Sequence, residues 1–170
     1  NAKVGEEWGT LIGTGFKYAD NGLPIINEDG SYAIERNKDL GTTLPTATGG
    51  FTNTFRYKNF DLTAFIEFQA GGQFYSVTKM FNAYSGLGKE TAGLNDKGSP
   101  LRDPVEDGGG VRVDGALEDG TPTTVYVDAY DYFSGMFGLH ENWIYDASYV
   151  KLREIRLGYS LPAKLVNKTP

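Results

Sequence analysis

The stretch Tyr145-Asp-Ala-Ser-Tyr-Val-Lys-Leu-Arg-Glu-Ile-Arg-Leu-Gly-Tyr-Ser-Leu-Pro162 decides how the chain folds. From Ile155 onward it alternates, with Ile155, Leu157, Tyr159 and Leu161 on one face and Glu154, Arg156, Gly158 and Ser160 on the other. Pro162, which has no backbone N–H, stops the ladder. Before Ile155 the phase is reversed: Val150 and Leu152 fall on even positions, Lys151 and Arg153 on odd ones. A one-residue phase change inside a strand predicts a β-bulge near Arg153. The length matters too. Strands of soluble proteins run about 5 to 6 residues, whereas a tilted strand crossing a bilayer takes roughly 9 to 11, with an apolar outer face and a polar inner one.

A second stretch specifies a pairing. Phe51, Phe55 and Tyr57 share odd parity, and after Lys58-Asn59 the apolar set becomes even: Phe60, Leu62, Ala64, Ile66, Phe68 and Ala70. A two-residue hairpin loop requires that switch, because the residues flanking the loop pair and point the same way. The predicted pairs are Tyr57 with Phe60, Phe55 with Leu62, Asn53 with Ala64 and Phe51 with Ile66, with Arg56 facing Asp61 and Thr54 facing Thr63 on the other side. The second strand runs toward Tyr75 past a bend at Gly71-Gly72. Taken alone, this hairpin fits a soluble sheet as well as a membrane wall.

Elsewhere the alternation of Ile12, Thr14, Phe16 and Tyr18 predicts a strand over residues 10 to 18, turned by Asp20-Asn21-Gly22. A small hairpin at Asp29-Gly30 pairs Ile25 and Ile26 with Ile34 and Ala33. Residues 36 to 49 read as linker. Val77, Met80, Phe81 and Tyr84 have helical spacing, with Thr78 as cap and Gly86 and Gly88 as terminators. A shorter helix is expected over residues 129 to 134. Residues 86 to 127, rich in Gly, Asp and Pro, read as one long connection.

Composition excludes several function classes. The chain has 170 residues, 39% of them hydrophobic, with 11 Tyr, 10 Phe and 23 Gly, a balance that suits strands and turns. Mean hydropathy is -0.38, and no run approaches the ~18 apolar residues of a membrane helix. Barrel strands alternate and escape such averages. A net charge of -6 argues against a nucleic-acid partner, which needs clustered Lys and Arg. The absence of Cys removes thiol nucleophiles and thiolate metal sites. The start, Asn1-Ala-Lys-Val-Gly, lacks an initiator Met and a signal peptide's apolar region, so a processed chain or a piece of a longer one is expected.

Catalysis finds no support. His140 is the sole histidine, and no G-x-S-x-G elbow accompanies it. No cofactor is implied. The acidic run that includes Asp103, Glu106, Asp107, Asp114 and Asp119 lacks EF-hand spacing. Asp103, Asp107 and Asp114 are weak calcium candidates against a solvated loop. Gly108-Gly-Gly110 is not followed by Lys-Ser/Thr, so it does not read as a phosphate loop.

Asp146-Ala-Ser-Tyr-Val-Lys-Leu-Arg-Glu-Ile-Arg-Leu-Gly-Tyr-Ser-Leu-Pro162, together with Phe55-Arg-Tyr-Lys-Asn-Phe-Asp-Leu-Thr-Ala64 and Gln69-Ala-Gly-Gly72, resembles the SusC/RagA-like TonB-linked outer-membrane proteins near the end of their barrel. The resemblance covers roughly residues 5 to 168. It implies an all-β fold: antiparallel strands of a 22-strand-type plugged barrel with long extracellular loops and short helical turns. It further implies import of glycans, oligopeptides or similar nutrients across the outer membrane of a Gram-negative bacterium. The implied partners are outer-membrane lipid, a SusD-like surface lipoprotein and, through parts not present here, the TonB complex.

Under that resemblance residues 1–49 hold a strand and an extracellular loop, 50–76 the hairpin, 77–145 a long extracellular loop, 146–162 a barrel strand and 163–170 a periplasmic turn, with no plug domain. The strand should leave the bilayer above Arg153, placing Tyr149, Lys151 and Arg153 at or beyond the outer interface. Arg56, Asp61, Glu67, Glu154 and Arg156 are expected to face the lumen. Within the aromatic cluster that includes Phe133 and Tyr145, the side chains Tyr126, Tyr130, Tyr132 and Trp143 are expected to stack on substrate, with loop packing or an interfacial girdle as the alternative. The competing function class is a soluble or surface-exposed β-rich glycan-binding module, which should have short strands with turns every ~8 to 12 residues.

Overall fold

The computed structural model describes Gly5 and residues 7–166, apart from the side chain at 165. In chain order the elements are β1 (Thr10–Phe16), β2 (Ile34–Thr42), β3 (Ala47–Tyr57), β4 (Phe60–Ala70), β5 (Gln73–Tyr75), α1 (Val77–Tyr84), β6 (Val111–Ala116), β7 (Pro122–Val127), α2 (Ala129–Gly135), β8 (Ile144–Asp146), β9 (Tyr149–Tyr159) and α3 (Ala163–Val166). All the ladders for which a register is defined are antiparallel. No helix among the described residues is long and apolar enough to cross a membrane, which says nothing of strands. Residues 167–170, the rest of the expected periplasmic turn, lie outside the described residues. The chain forms two compact units, one from 43–73 and 146–170, the other from 1–42 and 74–145.

The first unit is the three-stranded sheet β3-β4-β9. Every pair expected for the hairpin is present, and the ladder continues to Ala47↔Ala70, so each hairpin strand has 11 residues. The linker expected over 36 to 49 is therefore mostly strand, 36–42 in β2 and its end, 47–49, in β3. Gly49 conceals it from a periodicity reading: a Cβ there would come 2.8 Å from Phe68 Cζ, so the aromatic ring takes the place of a side chain. The loop places Lys58 at φ +53. Asn59 ties the turn to β9, its Nδ2 donating to Ser160 O at 2.9 Å and its carbonyl accepting Ser160 N–H at 2.8 Å.

The bulge falls where the phase change put it. Phe65 pairs with Glu154 and Ile66 with Leu152, leaving Arg153 as the extra residue. The ladder continues on the far side of it. Tyr149 and Lys151 still pair with Gln69 and Glu67, and the inserted residue rephases β9 so that Val150 and Leu152 join Ile155, Leu157 and Tyr159 on one face. Across the ladder this face carries Phe60, Leu62, Ala64, Ile66 and Phe68, then Phe51, Phe55 and Tyr57. Ile155, Leu157 and Val150 are 65%, 71% and 77% exposed, so among the described residues this face is left uncovered.

The second unit has its own core of Met80, Ala83, Met136, Leu139 and Trp143, packed by Phe16, Tyr32, Tyr75, Tyr132, Phe133 and Phe137. Here α1 is capped by Ser76, whose Oγ accepts Lys79 N–H at 3.3 Å, rather than by the expected Thr78. Instead of a structureless connection, 86 to 127 contains the hairpin β6-β7, pairing Val111 with Val127 and Val113 with Val125. Val113 and Ala116 of this hairpin are buried, and Ala116 N–H donates to Pro24 O at 2.9 Å. β1 ends at Phe16, and Tyr18 makes only an isolated bridge to Pro24.

Four turns in this unit, at 19–23, 27–31, 95–99 and 117–121, share one geometry. In each, the fourth residue is a glycine with positive φ, Gly22, Gly30, Gly98 or Gly120, and its N–H donates to the carbonyl of the first residue. That three-residue loop shifts the expected small hairpin by one: Ile26 bridges Tyr32, and Ile34 joins β2 opposite Phe16. The Asp29 and Asp119 carboxylates accept the Ser31 and Thr121 N–H groups, so these acidic residues build turns.

Candidate functional site

Two places gather polar chemistry. On the sheet face opposite the apolar one, Glu67 accepts hydrogen bonds from Tyr149 and Arg153, the Arg153 Nη2 contact being 3.1 Å. Arg156 pairs with Asp61 at 3.8 Å, and Thr54 and Thr63 hydroxyls meet at 3.1 Å. Arg56 stands opposite Asp61, and Glu154 opposite Phe65. The five charges expected to face the lumen share one face of the sheet, and the bulge adds Arg153 to it.

The second place is a cavity of about 570 Å³ in the other unit, within the ~300 to 1,000 Å³ typical of small-molecule sites. Its lining includes Thr14 of β1, Tyr32, Ile34 and Arg36 of the strand that follows the Asp29-Gly30 turn, and Asp131, Tyr132 and Leu139 beyond β7. Arg36 reaches it through a second bulge. Gly13 pairs with Lys38 and Gly15 with Glu35, so Arg36 and Asn37 oppose Thr14 alone, and Asn37 adopts φ +58. Burial raises the Tyr32 hydroxyl's pKa, reinforced by Tyr132; burial likewise raises Tyr132. Both hydroxyls are thereby kept as neutral phenols.

The free edge of β1 is closed by side chains. Thr14 N–H donates to His140 Nδ1 at 2.9 Å and Phe16 N–H to Glu141 Oε2 at 2.8 Å, while Lys38 Nζ reaches Glu141 Oε2 at 3.0 Å. A Cβ at Gly13 would come 2.9 Å from His140 Cβ, and one at Gly15 would collide with Glu141 and Lys38. Two glycines therefore let this segment dock. His140 acts here as a structural acceptor that covers an edge.

The expected aromatic cluster separates. Trp143 is buried, its Nε1 donating to Met136 O at 2.8 Å. Tyr132 bridges core and cavity, and Tyr130 is 79% exposed. Tyr126 serves a clasp: its hydroxyl donates to Asp96 at 2.8 Å, Lys97 Nζ sits 3.2 Å from its ring centroid, and Arg112 links Asp96 to Asp114. The Tyr126 hydroxyl first, and Arg112 after it, hold the Asp96 carboxyl below its ordinary range. Stabilisation from that carboxylate is complete above the unfolded value of ~3.9 and is lost as pH falls through the lower folded value. Amide exchange over 95–99 should accordingly be unchanged by the clasp between pH 8 and 5 and accelerate only in stronger acid. Asp114 is occupied by Arg112 and Thr124. Among the described residues no three His, Cys, Asp or Glu side chains gather to hold a metal, so Asp103, Asp107 and Asp114 are not brought together.

Long antiparallel strands with one apolar, uncovered face and one charged face define a barrel-wall type of sheet. No family model matches the chain. Over 144 residues it is 28% identical to TonB-dependent receptor P3 of Formosa agariphila, covering 85% of this chain and 12% of that protein. Over 154 residues it is 30% identical to TonB-dependent receptor P26 of the same organism, covering 87% of this chain and 13% of the relative. The chain is thus related to a stretch of the TonB-dependent receptors and spans about an eighth of their length.

Proposed function

We propose that this chain is a wall-and-lobe stretch of an outer-membrane TonB-dependent transporter of the SusC/RagA type. It would import glycans, oligopeptides or similar nutrients, with a SusD-like surface lipoprotein as partner and the TonB complex as the energy source. The observation that carries this reading is the uncovered apolar face of β3, β4 and β9. Strands of 11 residues at ~3.4 Å per residue and a tilt near 45° rise about 26 Å, close to the ~25 Å apolar band of such barrels. An apolar patch of this extent on a soluble monomer would be an aggregation site. Arg56, Asp61, Glu67, Arg153, Glu154 and Arg156 then face the lumen.

Orientation follows from connectivity. Ala47 pairs with Ala70 and Gln69 with Tyr149, so residues 1–42 and 74–145 both join the sheet at the end opposite Lys58-Asn59. That end is the extracellular one in this reading, and the short turns are periplasmic. Protease added to intact cells should cut near Gly108 and spare Lys58; cleavage at Lys58 with Gly108 protected would reverse the assignment.

A further inference from the structure

The 570 Å³ cavity holds a charge with no partner. Among the described residues the Arg36 side chain makes no hydrogen bond or ion pair, and neither does the Asp131 side chain, though both line the cavity. The guanidinium is set there by the β2 bulge, at the expense of an asparagine with positive φ beside it. A planar guanidinium favours a carboxylate, which it binds through two parallel hydrogen bonds. Asp29 and Asp131 on the same lining disfavour a multiply charged anion and accept from hydroxyl or ammonium groups. Tyr32 and Tyr132 present neutral hydroxyls, and Ile34, Val127, Met136 and Leu139 supply an apolar wall.

We propose that this cavity binds a small monocarboxylate carrying neighbouring hydrogen-bond donors, with the carboxylate on Arg36 and the donors on Asp131. A uronic-acid sugar and the C-terminal end of a short peptide share that chemistry. The proposal deepens the transporter reading and rests on it in taking the ligand as imported cargo.

The test is calorimetric titration of the complete receptor in detergent, with co-flotation on lipid vesicles scored on the same preparation. The probes are a galacturonic-acid disaccharide with its neutral galactose counterpart, and the dipeptide Ala-Leu with its C-terminal amide. One acid should bind at least about 10-fold more tightly than its neutral partner, and which acid does so names the source. Arg36→Gln should abolish the difference between acid and neutral probe. Gly138→Phe provides a second variant. Gly138 lines the cavity, and a Cβ there meets nothing within 4 Å, so the new ring should fill the cavity without displacing the core and remove binding of both probes. Equal binding of acid and neutral forms, binding of neither acid, or acid binding undiminished in both variants would overturn the site. Failure of the protein to float with vesicles would overturn the membrane reading instead, which keeps the two outcomes distinct.

Discussion

Replacing Ile155 with arginine is expected to destabilise the protein in its membrane by about 2–4 kcal/mol, the cost of a cation at the midplane of a barrel's lipid face. Ile155 pairs with Ala64 near the middle of the 11-residue β4 and belongs to the uncovered apolar face. In a soluble sheet the same side chain, 65% exposed, would simply be a surface residue. Its substitution would then change stability by no more than about 0.5 kcal/mol. The two readings therefore differ several-fold at one position. Arg156→Gln, on the opposite face, should cost at most about 1 kcal/mol, because its pair with Asp61 is long and largely solvated. Urea unfolding in lipid vesicles, followed by loss of the folded band's gel mobility, measures both. A cost at Ile155 no larger than that at Arg156 would exclude lipid as the neighbour of this face.

The contrast between the two units explains what periodicity can reveal. In the sheet, a two-residue loop ties the parity of β3 to that of β4, so Lys58-Asn59 sets every pair from Tyr57↔Phe60 to Ala47↔Ala70. One extra residue in β9 leaves a parity break that is visible without coordinates. The meaning of that break was not visible. Arg153 by itself suggested an exit from the membrane; with β4 as the partner strand, it hydrogen-bonds Glu67 on the charged face at the point where the apolar face is rephased.

In the other unit the signals are scrambled by bulges and turns. β2 reads Ile34-Glu-Arg-Asn-Lys-Asp-Leu40 and has no apolar alternation, because it is held through Lys38, Glu141 and the backbone of β1. The Val111, Val113, Val125 and Val127 alternation was present but short, and Asp and Gly on both sides favoured a loop. Arg36 carried no local signal at all. Its role depends on a bulge in one segment and on Asp131 and Tyr132 from a segment far along the chain.

Trp143→Ala provides the other large expected effect, and it separates an aromatic that binds from one that packs. The ring is 5% exposed within the cluster of Met80, Ala83, Met136 and Leu139, and its Nε1 satisfies the Met136 carbonyl. Removing it deletes a large apolar group and takes one of two donors from the Met136 carbonyl, which keeps the Leu139 N–H at 3.2 Å. Substitutions of this kind cost about 3–5 kcal/mol, a large share of a domain's whole stability of order 5–15 kcal/mol. Trp143→Phe retains most of the packing but loses the hydrogen bond, at a cost of about 0.5–1.5 kcal/mol. Because β3, β4 and β9 have no part in that cluster, amide exchange should rise across 77–145 and stay slow in the sheet after Trp143→Ala. Tyr130, by comparison, is 79% exposed and lies outside the core cluster, so Tyr130→Ala should leave exchange unchanged throughout. If Trp143→Ala left exchange over 77–145 at its original rate, the tryptophan would be a surface group, and the stacking role first expected for it would return.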